Sequence, residues 1–412
     1  MKNFVILGAG TAGTIMANKL ARALPSSGWR ITVVDRDNDH PYQPGFLFVP
    51  FHGYEPQDLV KSRRKTLHPR VDFVEALIER IEPDHNRVHL KGGHVLAYDF
   101  LIIATGTQPV PAQNEGMLGD EWHKSVGEFY TLEGCTALQR QLDQFKGGRL
   151  VVNIAEMPIK CPVAPLEFAF LADSYFRAKG MRDKVEIDYV TPLPAAFTKP
   201  KAAELLGDFL DKRRIHLTAD FALGRVDQEA KKIHSWDERE VAYDLLVTVP
   251  TNMGDPVIGA SGIGDELNYV PTDKHTLVSK VAPNIFALGD ATDLPSSKAG
   301  SVAHFQADVL MENILSVVAG NAPEAKFDGH ANCFIESGDG KALLIDFSYD
   351  VEPLPGHYPL PHVGPMSLLK ETRLNHFGKL MFRWVYWNML LPARPMPVGH
   401  AFSMSGKKTT AA

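Results

Sequence analysis

The chain has 412 residues, 44% of them hydrophobic and 22% charged, enough to bury the cores of two or three domains of an ordinary globular enzyme. A formal net charge of -6 argues against nucleic acid as a partner, and three cysteines are too few for a secreted disulfide scaffold, so each is weighed as a reactive thiol. No uninterrupted apolar run is long enough to span a bilayer, and the apolar first residues meet a glycine motif rather than the small-residue site of a cleavable signal.

In chain order, "KNFVILGAGTAGTIMANKLARAL" reads as strand, tight turn and helix. Gly8, Gly10 and Gly13 have the G-x-G-x-x-G spacing of a dinucleotide fold. The first glycine allows the turn, the second lets the backbone approach a pyrophosphate, and the third lets helix and strand pack closely. The next strand, "RITVVD", ends in Asp35, where a carboxylate binds a ribose diol. The basic run "KSRRK" (61–65) reads as a solvated helix face, the rival being a lipid or partner contact. "VDFVEALI" ends at Ile78, and "YDFLIIATGTQP" (98–109) is a buried strand leading into Ala104, Thr105 and Gly106. "EGCTALQRQL" (133–142) puts Cys135 at the start of a helix.

"GGRLVVNIA" (147–155) opens a second unit with a strand, but "EMPIKCPVAPLEFAFLA" follows, with no glycine until Gly180. Side chains there would block a second pyrophosphate, so the grip on NADH is absent. Cys161 stands between lysine and proline in its place, and Glu167 follows on the new helix as a candidate proton acceptor. "YDLLVTVP" (243–250) resembles the earlier strand-to-loop unit, and "APNIFALGDATDLPSSKAG" (282–300) ends its strand in Gly289 and Asp290 before a helix from Ser301. "HANCFIESGDGKALLIDF" (330–347) holds Cys333 on a strand-like stretch.

A proline-rich linker (351–365) leads to "MSLLKETRLNHFGKLMFRWVYWNMLLPARP" (366–395). Lys370, Arg373, Lys379, Arg383 and Arg394 are opposed there only by Glu371. Leu368, Leu369, Phe377, Leu380, Met381, Trp384, Val385 and Met389 line apolar faces of two short helices broken near Asn375. Tryptophan, leucine and basic residues on one amphipathic element describe an interfacial segment, the rival being a helix packed on the chain's own core. The final "SGKKTTAA" (405–412) reads as disordered, and the scattered histidines give no metal-ligand spacing.

Taken together, the glycine motif and the three strand-to-loop segments resemble the two-dinucleotide-domain flavoproteins of the pyridine-nucleotide-disulfide type over most of residues 1–320. That resemblance implies FAD, held by the glycine loop and by Ala104, Thr105, Gly106 and Gly289, with Asp290 bonding its ribityl and pyrophosphate region and the Ile78 backbone its adenine. "KCPVAPLE", "EGCTALQRQL" and "HANCFIESGDGKALLIDF" further resemble the cysteine elements of sulfide:quinone oxidoreductases, relatives of the flavin subunit of flavocytochrome c sulfide dehydrogenase. By that resemblance Cys161 and Cys333 form a redox pair that captures sulfide as sulfane sulfur or polysulfide, Cys333 lies nearer the flavin, and Cys135 serves near the flavin edge or product exit. Lys379 approaches a membrane quinone, and Phe334 and Phe347 line its apolar pocket. Tyr42 occupies the loop that carries the attachment cysteine in the flavocytochrome relatives.

The expected fold is α/β, with two Rossmann-like dinucleotide-binding domains and a C-terminal amphipathic membrane-binding segment. The FAD domain is discontinuous (1–110 and 280–320), the second domain spans 111–279, and a C-terminal region (321–412) carries the second redox cysteine. The expected partners are sulfide, a membrane quinone and a membrane surface, on which the chain would sit peripherally, with room for a homo-oligomer. Because thiolates are the nucleophiles, the rate is expected to rise toward mildly alkaline pH. Rival readings are a flavocytochrome-type sulfide dehydrogenase subunit, a type II NADH:quinone oxidoreductase-like enzyme, and a non-catalytic FAD-containing sulfur carrier.

Overall fold

The computed structural model describes residues 1–361 and 363–409. Five strands lie side by side in the order Ile285–Ala287, Phe100–Ile103, Lys2–Leu7, Trp29–Asp35 and Val71–Glu75, all parallel. Strands buried on both faces read as continuous apolar runs, and Leu101, Ile102 and Ile103 are fully buried in this way. Helices Thr11–Ala23 and Gly300–Val318 pack on this sheet and on each other. A second parallel sheet runs Val126–Gly127, Leu245–Val249, Gly148–Ile154, Val185–Val190 and Ile215–Thr218. The helix after its central strand, Ala164–Ala178, therefore starts where a second dinucleotide loop would lie.

Strands Ala331–Gly338 and Lys341–Phe347 form an antiparallel hairpin. Its turn is Asp339-Gly340, both with positive φ (54° and 65°), the conformation a two-residue hairpin turn requires and the Asp-Gly pair supplies. The hairpin packs between helix Ala164–Ala178 and a C-terminal helix, Arg373–Val385.

The C-terminal region differs from expectation in three ways. It holds one helix running into a π turn, Tyr386–Leu390, rather than two helices broken near Asn375. Asn375 is buried in the first helical turn, its amide donating to the carbonyls of Ser367 and Lys370, so it anchors the helix start instead of interrupting it. Leu368 is buried in a short strand. The tail is also ordered as far as Thr409: Lys407 makes a buried salt bridge to Asp346 (2.7 Å), and Lys408 donates to the Pro355 carbonyl. Thr410 to Ala412 lie outside the described residues. No described helix is long and apolar enough to cross a membrane.

Candidate active site

The glycine loop is built by steric exclusion. A Cβ on Gly8 (φ +95°) would stand 2.4 Å from the Ala104 carbonyl oxygen, and one on Gly13 would stand 1.9 Å from the Gly8 oxygen. Around Gly10, which caps helix Thr11–Ala23 without any side-chain hydrogen bond, there is open space. The first-turn N–H groups of that helix are thus left for an anion, as a pyrophosphate site demands. Nearby, the buried Thr105 hydroxyl has no partner. Gly289 (φ +71°) brings its loop against Ala12, and Asp290 has Lys298 and Lys160 as charged neighbours. Burial pushes the Asp290 carboxyl up, and those two ammonium groups oppose it. Ile78 opens strand Ile78–Glu82, beside the sheet end that carries Asp35.

Asp35 accepts from the N–H groups of Ala9 (2.6 Å) and Arg36 (2.8 Å). Burial pushes its carboxyl up, and the Arg63 guanidinium 3.3 Å away works against that. Arg63 corrects the reading of the basic run as a solvated face: Arg64 and Lys65 are exposed, but Arg63 is buried and donates to the Ala9 carbonyl (2.7 Å). Two further residues escaped sequence reasoning. His40 reaches the same carbonyl with Nδ1 (3.1 Å) and the Tyr386 hydroxyl with Nε2 (2.7 Å), and that hydroxyl also bonds Thr11 Oγ1 (2.8 Å). The C-terminal π turn therefore buttresses the glycine loop. Tyr42 is buried edge-on to Tyr386.

Cys161 sits in the left-handed region (φ 48°), with its backbone pinned on both sides. Its N–H donates to the Lys298 carbonyl (2.7 Å), and its own carbonyl accepts from the Tyr130 hydroxyl (3.2 Å) and the Ala164 N–H (2.9 Å). Cys333 comes from the hairpin, close enough that its thiolate and that of Cys161 would repel. Both are free thiols. Burial, then Glu167, pushes the Cys161 thiol up to about 12, against the pull of Lys379. Burial, then Cys161 and Glu167, pushes Cys333 up as well. The low-dielectric surroundings favour the neutral form of both thiols.

Glu167 and Lys379 form a buried ion pair. Glu167 also accepts the Glu336 N–H (2.7 Å), and Lys379 donates to the Phe334 carbonyl (3.0 Å). These groups belong to the free edge of strand Ala331–Gly338, so the ion pair satisfies backbone atoms that a neighbouring strand would otherwise bond. Burial pushes the Glu167 carboxyl up, with Lys379 opposing. Burial works against the Lys379 ammonium too, but Glu167, Glu336 and Cys161 outweigh it and its pKa is raised. Glu336 and His376, joined at 2.9 Å, are the other polar residues here that sequence reasoning missed. The one available signal was Glu336 lying three residues after Cys333 in a strand otherwise largely apolar.

One expectation fails on geometry. Phe347 pairs with Ala331, an odd number of residues from Phe334, so the two rings point to opposite faces of the hairpin and cannot line one pocket. Phe334 packs against Gly378 of the C-terminal helix, whereas Phe347 borders a cleft with Lys199, Lys274, Ser296 and Tyr349. Cys135, expected near the flavin edge or product exit, is fully buried in helix Leu132–Gln144. Its thiol donates to the Leu132 carbonyl (3.3 Å), and burial, then Glu128, pushes it up to about 12. A larger cleft, about 730 Å³, is lined by Arg149, Asp188, His216 and Arg239 among others and shares no residue with the groups above. No cluster of metal-ligating side chains occurs among the described residues.

A model of the pyridine nucleotide-disulphide oxidoreductase family matches residues 2–307. The chain is similar to the mitochondrial sulfide:quinone oxidoreductase of Mus musculus, 26% identical over 394 residues that cover 94% of this chain and 86% of that protein. It is 26% identical to the corresponding protein of Dictyostelium discoideum over 396 residues, covering 95% and 86%. Among solved structures, the sulfide:quinone oxidoreductase of Aquifex aeolicus matches with a TM-score of 0.78 at 21% identity, covering 94% of this chain and 92% of that one.

Proposed function

The chain belongs to the pyridine nucleotide-disulphide oxidoreductase family, and from that membership we propose that it oxidises sulfide to sulfane sulfur at Cys161 and Cys333, with a membrane quinone as the final electron acceptor. The observation that carries this reading is the pairing of Cys161 with Cys333 at the point where a nicotinamide loop would need glycines. The same reading is consistent with the relatives named sulfide:quinone oxidoreductase.

The glycine loop, the unpartnered Thr105 hydroxyl, Asp35 and Asp290 fit FAD as the resident cofactor. When bound, FAD supplies a two-electron carrier between the thiols and the quinone. The remaining chemistry falls to the chain's own residues. Hydrosulfide offers no shape to recognise, so capture is covalent: HS⁻ attacks a Cys161–Cys333 disulfide, one S–S bond forms as another breaks, and a persulfide remains on Cys161 with a thiolate on Cys333. Because burial disfavours ionised sulfur at both positions, the disulfide is the competent form. The thiolate it releases is poorly solvated and readily gives up its electron pair. Glu167, buried beside Cys161, takes the persulfide proton. Cys135 has no part in the capture step; it would serve only as a later sulfur acceptor.

The acceptor side rests on the outer face of helix Arg373–Val385. Leu374, Phe377, Leu380, Met381 and Trp384 are exposed at helical spacing, Phe377 and Trp384 by 59% and 58%. Such a stripe, flanked by exposed Lys370 and Arg373, suits a lipid headgroup layer and makes the chain a peripheral membrane protein. Lys379 is not one of the lipid-facing cations, because Glu167 holds it inside.

Anaerobic titration of the flavin-loaded protein tests the reading. Sulfide should bleach the flavin and NADH should not. Cys161→Ser and Cys333→Ser should each abolish bleaching with flavin still bound. Bleaching by NADH but not by sulfide would overturn the proposal.

A further inference from the structure

We propose that Glu336 and His376 form the proton outlet of the sulfide site, carrying the proton that sulfide sheds to the apolar outer face of the C-terminal helix. This rests on the function proposed above. Its balance is HS⁻ + quinone + H⁺ → S⁰ + quinol, so one of the quinol's two protons originates on sulfide and the other comes from solvent.

The geometry supplies a route. Glu167 (1% exposed) takes the proton beside Cys161 and is bonded to Lys379 and to the Glu336 backbone N–H. The Glu336 carboxylate is equally buried, and both its oxygens lie 2.9 Å from His376 Nδ1. The His376 side chain is 27% exposed, the outermost of the set, and through Nδ1 it leaves Nε2 as the outer nitrogen. His376 and Lys379 lie one turn apart on one helix face, while Leu374, Phe377 and Leu380 face outward from the same turns. The two carboxylates share no hydrogen bond; Lys379, bonded to Glu167 and a charged neighbour of Glu336, is the link between them, and the set ends beside the surface assigned to the quinone.

Charge counting supports a mobile proton. The charged and titratable groups around Glu336 are Glu167 from helix Ala164–Ala178, Lys379 and His376 from the C-terminal helix, and Tyr54, which lies under Arg383. Lys379 neutralises Glu167, so a second buried carboxylate is balanced only when it or His376 holds one more proton. Burial pushes the Glu336 carboxyl up, against Lys379 and His376, which favours keeping that proton within the pair.

The test uses the flavin-loaded full chain with sulfide and a short-chain quinone. Wild-type bleaching by sulfide is read first, and its absence would defeat the underlying function. Given bleaching, Glu336→Gln and His376→Ala should slow turnover at least about tenfold and alter its pH profile. Added imidazole should restore the His376→Ala rate in proportion to its concentration, and Glu336→Asp should recover most of the Glu336→Gln loss. If His376→Ala does not fold, His376→Gln should show the same slowing. Wild-type rates and pH profile in folded variants, or losses that neither imidazole nor aspartate repairs, would overturn the relay and leave the cysteine chemistry standing.

Discussion

Cys161 combines a left-handed backbone with a thiol that resists ionisation, and both properties can be measured. Lifting the thiol from 9.0 to about 12 leaves roughly a thousandfold less thiolate at any pH below 9. Iodoacetamide at pH 8 should therefore label the reduced native protein far more slowly than the urea-unfolded chain, as read by mass spectrometry of the peptide containing residues 159–169. Comparable rates would refute the buried thiol. The folded thiol keeps its proton to about pH 12, whereas the unfolded one loses it near 9.0. Between those values the unfolded chain binds fewer protons, so the stability of the reduced protein should fall as pH rises through that window, and less steeply in Cys161→Ser. The Glu167–Lys379 pair makes a second prediction at this scale. Lys379→Met strands a buried carboxylate and the Phe334 carbonyl together, and should cost about 3–5 kcal/mol in urea unfolding. Adding Glu167→Gln should recover part of that loss, because the uncompensated charge is gone.

Among the elements, the glycine loop separates two roles that one motif confounds. Gly13→Ala drives a Cβ into the Gly8 carbonyl and should destabilise the fold itself, whereas Gly10→Ala meets nothing within the protein. Gly10→Ala should unfold like wild type yet carry less flavin, judged by the ratio of flavin to protein absorbance. The C-terminal helix has two faces as well. Truncation after Pro365 would remove buried Tyr386, Leu390 and Leu391 and so take stability with it. Phe377→Ser with Trp384→Ser changes only the exposed stripe, and should weaken co-sedimentation with liposomes while leaving sulfide bleaching intact. Trp387 is the wrong target, since it packs against the core beneath Lys61. What sequence made legible was what local pattern encodes: the glycine spacing and the cysteine between strand and helix. Strand parity separated Phe334 from Phe347, but parity is set by a hairpin register that residue type alone leaves open. His40 and Tyr386, 346 residues apart, meet through tertiary packing that no local periodicity announces. Arg63 was hidden in the same way, because a run of basic residues does not say which one turns inward.

Across the whole molecule, the last helix is fastened to the first. Besides the Tyr386 bond to Thr11, Asn18 donates to the Leu391 carbonyl (2.8 Å), and Arg22 reaches the Pro392 carbonyl from the same glycine-loop helix. One face of the C-terminal segment thus packs on the glycine-loop helix, while the other carries the exposed stripe proposed above to meet lipid. Two ligands that stabilise the same docked arrangement must help each other by equal factors, whichever binds first. Flavin-stripped protein should partition into vesicles less strongly than flavin-loaded protein, and vesicles should slow flavin loss by a matching ratio. Dialysis against potassium bromide with and without liposomes would measure both arms of that cycle. Unequal or absent effects would mean that the segment stays seated without flavin. If the two effects match and the membrane role proposed above holds, a cell short of flavin would release this protein from its membranes, leaving there only molecules able to pass electrons onward.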